Sequence, residues 1–264
     1  MKVTKAKLLY IGILSLSLVT CKSDDDSDNA TPTTTNNGNS SSNNDIPAVY
    51  QKIYGASSIT LDGNNIIIQS NGMPDHVSPY FPTSNSLYEA YSGTTFTGVT
   101  FNQNPNTIAS QSLTFTIPLT PSEAANKSTT SLGPIGVALN GVALYNQYAG
   151  PNNQALTNEI TSFDKYYGHP QQQGQYHYHV EPIYLTTVTS TKSGLMGFLL
   201  DGFPVYGPQE EDGSTVTSSD LDAYHGHTHI TADYPNGTYH YHFTADSPYL
   251  NGNGFFGNAG TVSQ

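Results

Sequence analysis

The sequence predicts an all-β fold, mostly β-strand with short helical turns, in which a tandem-duplicated β unit forms a single sandwich-like or barrel-like domain. The first observation is composition, with 19 Tyr, 24 Gly and 16 Pro residues. Aromatic residues fit a pleated sheet, and Gly and Pro are frequent in turns. The second is that no stretch shows sustained helical spacing of apolar residues. The third is an internal repeat in the C-terminal half.

The N-terminal part of this domain reads as strands and turns. Residues 59–61 and 66–68 flank Asp62-Gly63, a pair that permits the positive φ of a tight turn, so they predict a β-hairpin. Residues 112–118 alternate apolar side chains with Thr, as a half-buried strand does. Short helical segments are predicted at residues 121–125 and 153–163.

Residues 1–20 are predicted to form a lipoprotein signal peptide. Three lysines precede an apolar run over residues 8–19 that is too short to span a bilayer comfortably. Cys21, the only cysteine, follows this run in a context that resembles a bacterial lipobox, where the signal is cut before the cysteine and the thiol is lipidated. We therefore expect Cys21 to anchor the protein to a membrane.

Residues 21–45 are predicted to be a disordered tether, because Ser, Asn, Thr, Asp and Gly make up nearly all of the segment and cannot bury a core. The acidic residues 24–26 resemble the export tag of bacterial surface lipoproteins. The expected location is the bacterial cell envelope, as an outer-membrane lipoprotein, with the surface-exposed and the periplasmic face both open. The predicted folded domain covers residues 46–264.

The net charge of −12 restricts the partners. A surface this acidic repels phosphate backbones, so nucleic acid is not expected to bind, whereas cations are attracted. The sequence has no Gly-x-Ser-x-Gly nucleophile motif and no Gly-rich phosphate loop. The membrane, reached through the lipid anchor, is the one predicted partner, and protein or small-molecule partners stay open.

Three sequence blocks occur twice, in the same order. They begin with Leu-Asn-Gly or Leu-Asp-Gly, continue with an Asp that precedes Gly-His by a few residues, and end in Tyr-His-Tyr-His. The blocks cover residues 139–145 and 200–206, 164–169 and 222–227, and 174–179 and 237–242. Only the lengths of the connecting loops differ, so we predict two copies of one unit, at about residues 135–181 and 196–243.

Histidines are concentrated in the repeated part of the chain. Side chains at i and i+2 of a strand share a face, so each Tyr-His-Tyr-His would place both imidazoles on one face and both phenols on the other. The Gly-His block could fold back to supply a third imidazole, giving one site per copy or one shared site. The predicted metal ligands are His169, His177, His179, His227, His240 and His242.

Sets of imidazoles suit copper(II), zinc or nickel. The predicted cofactor is therefore a transition metal, copper or zinc. The neighbouring tyrosines favour copper, because they could tune or protect a redox centre. Zinc with three histidines and an open water position is the rival prediction.

Two aspartates hold equivalent positions in the two copies. Asp164 and Asp222 each lie five residues before the Gly-His histidine of their copy. A carboxylate that accepts the far N–H of a ligating imidazole fixes its tautomer and raises its basicity. We therefore predict this supporting role for both aspartates.

Four further residues are secondary candidates. Asp201 stands where the first copy has Asn140, so the second copy carries an extra charge. His225 and His229 have no counterparts in the first copy, and they are candidates for a site that this copy does not build. His76, which is distant in sequence, could reach the cluster from the N-terminal part.

Three classes of function remain open at this stage. The leading hypothesis is a His-rich metal-binding domain without an assigned biological role. The second is a metallo-enzyme, redox or hydrolytic, at the same histidines. The third is a metal-free surface adhesion or ligand-binding module, in which histidines and tyrosines form a stacked and hydrogen-bonded ladder.

The combined motifs resemble the YHYH domain family of bacterial exported proteins. The resemblance spans roughly residues 60–250. It is carried by residues 71–76, 139–142, 168–169, 176–179, 200–208 and 237–242. It implies an extracytoplasmic setting and a His-rich site, and it implies neither a substrate nor a partner.

Overall fold

The structure, a computed structural model, describes residues 46–264. The predicted signal peptide, Cys21 and the predicted tether lie outside the described residues. Within residues 46–264, no helix is long and apolar enough to cross a membrane.

Strands dominate this part of the chain, which confirms the predicted all-β class. The strands are β1 (Ser58–Asp62), β2 (Asn65–Ser70), β3 (Leu113–Pro118), β4 (Glu123–Ser128), β5 (Pro134–Ala138), β6 (Ala143–Tyr145), β7 (Tyr148–Ala149), β8 (Gln154–Ala155), β9 (Gly168–Pro170), β10 (Tyr176–Tyr178), β11 (Leu195–Leu199), β12 (Pro204–Tyr206), β13 (Gly226–Thr231), β14 (Tyr234–His242), β15 (Phe255–Gly257) and β16 (Thr261–Ser263). The helical elements are α1 (Thr157–Ile160), the 3-10 turns Tyr50–Lys52, Phe96–Gly98 and Ser218–Asp220, and a π-helical turn at Leu185–Thr189.

The N-terminal region forms a four-stranded sheet in the order β1-β2-β3-β16. Strands β1 and β2 form the predicted hairpin, with Gly63 at a φ of 57° in its turn. Strand β3 shows the predicted alternation, since its apolar side chains are buried and the intervening residues are half-buried. One local prediction is wrong: residues 121–125 do not form a helical turn, and β4 pairs there with the C-terminal strand β15.

The repeated part forms an eight-stranded sheet in the order β13-β14-β12-β11-β5-β6-β10-β9. Strands β5, β6, β9 and β10 come from the first copy, and β11, β12, β13 and β14 are their counterparts. The two copies meet where β5 and β11 pair antiparallel, in the register Gly136 with Leu199, Val137 with Phe198 and Ala138 with Gly197. Exchanging the copies reproduces this register, so a pseudo-twofold axis passes through the Val137–Phe198 pair.

Buried side chains from both sheets form one hydrophobic core. Ile66, Ile68 and Phe115 of the four-stranded sheet belong to the same cluster as Val137 and Phe198. Two sheets that share a core agree with the sandwich-like prediction, and the described strands form open sheets with no closed barrel.

The symmetry of the sheet separates the two Tyr-His-Tyr-His motifs. Strands β10 and β14 lie five strand positions apart. With neighbouring strands about 4.8 Å apart, this distance is about 24 Å along the sheet. The sequence left open whether the histidines form one shared site or two, and this separation requires two.

Candidate metal centres

Strand pairing brings together three histidines in each copy. In the first copy, His169 on β9 lies directly opposite His177 on β10, and His179 follows two residues later. In the second copy, His227 on β13 lies opposite His240 on β14. The fold-back expected of the Gly-His block is thus an antiparallel strand pair. We define site 1 as Glu159, His169, His177 and His179, and site 2 as Glu210, His227, His240 and His242.

The ligand atoms of site 1 converge on one point. The Nε2 atom of His177 lies 3.1 Å from that of His169 and 3.0 Å from that of His179. A Glu159 oxygen, Oε2, lies 3.4 Å from Nε2 of His169 and 3.4 Å from Nε2 of His179. All four ligand atoms lie within 4.8 Å of one another.

Site 2 repeats this geometry at the other end of the sheet. The Nε2 atom of His240 lies 3.1 Å from that of His227 and 3.1 Å from that of His242. Oε1 of Glu210 lies 3.1 Å from His227 Nε2 and 3.6 Å from His242 Nε2. The two sites therefore share three imidazoles and one carboxylate in nearly the same arrangement.

Backbone carbonyl groups fix the tautomer of four of these imidazoles. A carbonyl oxygen can only accept, so the Nδ1 atom that contacts it carries the proton and donates. The bonds run from His177 Nδ1 to Gln175 O at 3.1 Å, from His179 Nδ1 to Asn146 O at 2.6 Å, from His240 Nδ1 to Thr238 O at 3.1 Å and from His242 Nδ1 to Gly207 O at 2.7 Å. The acceptors are also equivalent residues of the two copies, and the Nε2 atoms are left as bare acceptors.

A serine fixes the third imidazole of site 1. The Ser162 hydroxyl donates to the carbonyl oxygen of Glu159 at 2.8 Å. Its proton is then committed, so it accepts from Nδ1–H of His169, at 2.7 Å. With His169 in this tautomer, all three neutral imidazoles of site 1 direct an unprotonated Nε2 at the common point; the Nδ2 atom of Asn104 lies farther from Nδ1 of His169, at 3.5 Å.

Burial favours the neutral, metal-binding form of these imidazoles. It lowers the pKa of His169, and together with the neighbouring His169 and His179 it lowers the pKa of His177 well below the ordinary value. In site 2, burial and the neighbouring His242 lower the pKa of His240 to about 3. Burial also lowers the pKa of His227 and that of His242. Near pH 7 each of these groups can offer a lone pair to a cation.

Glu159 reaches site 1 from a short helix that is anchored by apolar contacts. Leu156 and Ile160, which flank Glu159 on and beside α1, are buried in a small cluster with Phe163 and Val180. The Phe163 ring also packs against the imidazole of His169, with centroids 4.9 Å apart. The helix extends over a single turn, Thr157–Ile160, and is therefore shorter than the predicted segment 153–163.

Glu210 reaches site 2 from a different kind of element. It lies in a tight turn after β12, where its N–H donates to Ser214 O at 2.9 Å and Gly213 adopts a φ of 85°. Its second carboxylate oxygen lies 3.2 Å from His229 Nδ1. Neither glutamate could be predicted from the repeat, because the two occupy different places in the loops that connect the repeated blocks. No repeat signal could have found them.

The predicted role of Asp164 and Asp222 was wrong. Both lie on the tyrosine side of the sheet: Asp164 accepts a hydrogen bond from the Tyr176 hydroxyl at 2.9 Å, and Asp222 accepts from the Tyr239 hydroxyl at 3.0 Å. The reason is the strand alternation itself, which turns the first Tyr of each motif toward the aspartate and the His away from it.

Asp201 also lies on the tyrosine side, away from site 2. It accepts a hydrogen bond from the Tyr241 hydroxyl at 2.6 Å and one from the N–H of Gly257 at 2.9 Å. Its counterpart Asn140 donates from Nδ2 to the Tyr178 hydroxyl at 3.1 Å. The residue therefore supports the second Tyr of the motif in each copy, and the prediction of a metal-site role for Asp201 was wrong.

The three remaining histidines lie outside the two four-residue clusters. His76 is buried among tyrosines on the opposite side of β10, with Nε2 at 2.9 Å from the Tyr178 hydroxyl, so it does not reach site 1. His225 Nε2 forms a hydrogen bond with Oγ1 of Thr244, at 2.9 Å. His229 is exposed and borders site 2 through its contact with Glu210. Of the three, only His229 forms a side-chain hydrogen bond or ion pair with a residue of either site, namely Glu210 of site 2.

A cavity of about 850 Å³ opens beside site 1. Its wall includes all four residues of that site. The size lies within the range of small-molecule pockets, roughly 300–1,000 Å³. An ion in site 1 would therefore border a space that can admit a ligand.

Comparisons with known proteins identify one family. The family model described as YHYH protein matches residues 114–215 and 207–254. The matched part exceeds half of the chain and contains both Tyr-His-Tyr-His motifs and all eight residues of the two sites. Comparison with curated proteins and with solved structures gives no match.

Proposed function

The chain belongs to the YHYH protein family, and we propose that it is a metalloprotein of the bacterial envelope whose two repeats each bind one transition-metal ion. Each ion would be held by three histidine Nε2 atoms and one glutamate oxygen. The observation that carries the proposal is the convergence of three imidazoles in site 1, where Nε2 of His177 lies 3.1 Å from Nε2 of His169 and 3.0 Å from Nε2 of His179.

This arrangement needs a positive charge at its centre. Two unprotonated nitrogens at this distance have no proton to share, and a carboxylate oxygen 3.4 Å away adds a further acceptor. Such a set of buried acceptors is unfavourable without a cation. A metal-free ladder could pair these acceptors only with an additional proton on one imidazole of the site. Burial opposes that proton, since it lowers the pKa of His177, so this feature argues against the adhesion-module hypothesis.

The two glutamates support the proposal independently. Duplication accounts for the six histidines, which occupy equivalent positions. It does not account for Glu159 on a helix and Glu210 in a tight turn, which reach the same place from inequivalent positions. Two separate origins of a carboxylate beside the same three imidazoles are expected if the site requires a fourth, anionic ligand.

The ligand set favours copper or zinc. Three imidazole nitrogens and one carboxylate oxygen suit borderline transition metals, whereas calcium and magnesium prefer oxygen ligands throughout. An ion about 2.0–2.1 Å from each ligand has neighbouring ligands about 2.9–3.4 Å apart, from square-planar to tetrahedral geometry. The four closest ligand pairs of site 1 are 3.0–3.4 Å apart, which suits both metals.

The envelope location is part of the same proposal. The signal peptide at residues 1–20 and Cys21 would place the protein on a membrane by a lipid anchor, and the tether would hold the domain at a distance from it. In this setting the domain meets metal ions outside the cytoplasm. Its acidic surface, with a net charge of −12, would raise their local concentration.

Metal content tests the proposal directly. The purified full chain, without a histidine tag, is loaded with copper, zinc or nickel, dialysed and analysed by mass spectrometry of the elements. We expect two ions per chain in the wild type. We expect one in His177→Ala/His179→Ala, one in the matched variant His240→Ala/His242→Ala, and none when the four substitutions are combined. Sub-stoichiometric metal in the wild type, or content that the substitutions do not change, contradicts the proposal.

A second candidate, a metallo-enzyme at site 1, is favoured by the cavity of about 850 Å³ beside it. A catalytic metal must accept a ligand from outside the protein. Azide added to the copper-loaded chain should change the copper resonance spectrum. The change should persist in His240→Ala/His242→Ala and vanish in His177→Ala/His179→Ala. A spectrum that azide leaves unaltered rules out this candidate.

A further inference from the structure

We propose that the cavity beside site 1 binds a neutral, hydroxyl-rich ligand, which is the chemistry of a saccharide. The inference rests on the proposed function only for its inner wall, where Glu159 and the three histidines would hold the metal ion. The rest of the lining is independent of any metal. It has three properties that restrict the ligand: its charge, its hydrogen-bonding groups and an exposed aromatic ring.

The lining has almost no charged side chains. Glu159 is the one carboxylate side chain among the residues that line the cavity, and none of the lysines of residues 46–264 lines it. An anionic ligand would meet no cationic side chain there, and it would approach an acidic molecule. A cationic ligand would find a single carboxylate side chain, already committed to site 1. Neutral ligands fit best.

Side-chain amides provide the hydrogen-bonding groups. Three of them are held through their NH₂ group: Gln103 Nε2 donates to Pro79 O at 3.0 Å, Asn106 Nδ2 to Pro170 O at 3.0 Å and Asn158 Nδ2 to Gln154 Oε1 at 3.1 Å. Within residues 46–264, no protein donor bonds to the carbonyl oxygens of these three amides. The cavity therefore presents the carbonyl oxygens of these amides to its ligand, together with the second N–H of each NH₂ group.

Amides suit a ligand whose groups both donate and accept, because each amide offers a carbonyl oxygen and a second N–H. Every saccharide hydroxyl can donate and accept through one atom, so neighbouring hydroxyls can bond to both groups of the same amide. The amide surface thus fits a saccharide, and a peptide is the alternative that the experiment below tests.

An aromatic ring completes the resemblance to a sugar-binding surface. The Tyr148 side chain lines the cavity and is exposed, at 36% of its full accessibility. An exposed ring beside polar acceptors can pack against the C–H face of a sugar while the hydroxyls point to the amides. Tyr145 also lines the cavity, but its ring is already stacked on His177, with centroids 3.9 Å apart.

Binding to oligosaccharides tests the inference. The full chain, loaded with zinc, is titrated in a calorimeter with neutral glucan, xylan and chitin oligosaccharides. A polygalacturonate oligosaccharide and an uncharged glycine peptide serve as anionic and peptide probes. We expect at least one neutral oligosaccharide to bind. Tyr148→Ala and Gln103→Leu should each weaken its binding by roughly tenfold. The matched controls Tyr88→Ala and Gln51→Leu, exposed residues outside the cavity, should leave the affinity within about twofold.

The metal content of each sample separates this inference from the proposed function. If the chain holds two ions and no neutral oligosaccharide binds, the saccharide inference is overturned and the metal proposal stands. Preferential binding of the peptide or the anionic probe also overturns it, as does binding that Tyr148→Ala and Gln103→Leu leave unchanged. If the chain holds no metal but binds saccharide with the expected variant effects, the inference stands without the metal site.

Discussion

One residue on the tyrosine side differs in charge between the two copies. Asn140 and Asp201 occupy the same turn position, and both contact the second Tyr of their motif. In the first copy a neutral amide is sufficient, because Asp75 lies beside it and accepts from Asn140 Nδ2 at 3.0 Å. In the second copy the charge is on Asp201 itself, in a fully buried position. Burial raises the pKa of that carboxyl to about 6.

The raised pKa of Asp201 predicts that the free energy of unfolding depends on pH. The folded chain holds a proton on Asp201 up to about pH 6, whereas the unfolded chain releases it near the ordinary value of 3.8. Stability conferred by protonated Asp201 is therefore lost as pH rises from about 4 to 6, by about 3 kcal/mol. Asp201→Asn, which restores the residue of the first copy, should remove this slope. Urea unfolding of both proteins between pH 4 and 7 measures the difference, and parallel stability curves would refute the prediction.

At the scale of secondary-structure elements, helix α1 positions Glu159, the fourth ligand of site 1. Helix α1 has a single turn and no hydrogen-bonding side-chain cap at its N-terminus, so its position depends on packing. Ile160 is 4% exposed within the small apolar cluster below the helix. The packing of Ile160, which follows Glu159 in the sequence, thus holds Glu159 at site 1.

Ile160→Ala should therefore weaken metal binding at site 1 without touching a ligand. Truncation of a buried Ile leaves a cavity and costs about 2–5 kcal/mol in packing, which loosens α1. The variant is combined with His240→Ala/His242→Ala, so that only site 1 can bind zinc. Its zinc affinity is measured by chelator competition. Val188→Ala, a change at a side chain that is 60% exposed, is the control. Unchanged affinity in the Ile160 variant would show that packing of α1 does not position Glu159.

Elements with local sequence signals could be predicted, and those that depend on distant partners could not. Asp62-Gly63 and the alternation in β3 indicate their structures from neighbouring residues alone. Residues 121–125 have a locally helical composition, but Glu123 of this segment pairs with Gly257, far along the chain. Tertiary pairing therefore outweighs local propensity there.

At the candidate sites, too, features with a local sequence signal could be predicted and features that depend on distant contacts could not. The i, i+2 spacing of Tyr-His-Tyr-His was sufficient to predict which side chains share a face. Glu159 could not be predicted, because its place beside His169 arises from α1 and its apolar contacts. The aspartates were misassigned because equivalence between copies identifies a conserved structural role without stating which face of the sheet it serves.

At the scale of the whole molecule, metal binding should stabilise both ends of the sheet. An ion present at a thousandfold excess over its Kd stabilises the fold by about 4 kcal/mol. For a domain of this size, 1 kcal/mol corresponds to about 2–4 °C in Tm. Removing both ions with a chelator should therefore lower Tm by roughly 15 °C or more in scanning calorimetry.

The site variants make this prediction specific. His177→Ala/His179→Ala, which leaves one site intact, should show about half of the chelator effect. The variant without four of the six histidines should show no effect, and it serves as the control for chelation itself. A chelator response of equal size in all three proteins would mean that the ions act elsewhere.

The seam between β5 and β11 has an evolutionary consequence. Its register is self-complementary, because Val137 faces its own counterpart Phe198 and the flanking pairs exchange with each other. A chain with a single repeat would carry this strand at an open edge and could close it by pairing with an identical chain. The eight-stranded sheet thus has the architecture of a symmetric homodimer joined into one chain. In one chain each half can change alone, and the different positions of Glu159 and Glu210 agree with this.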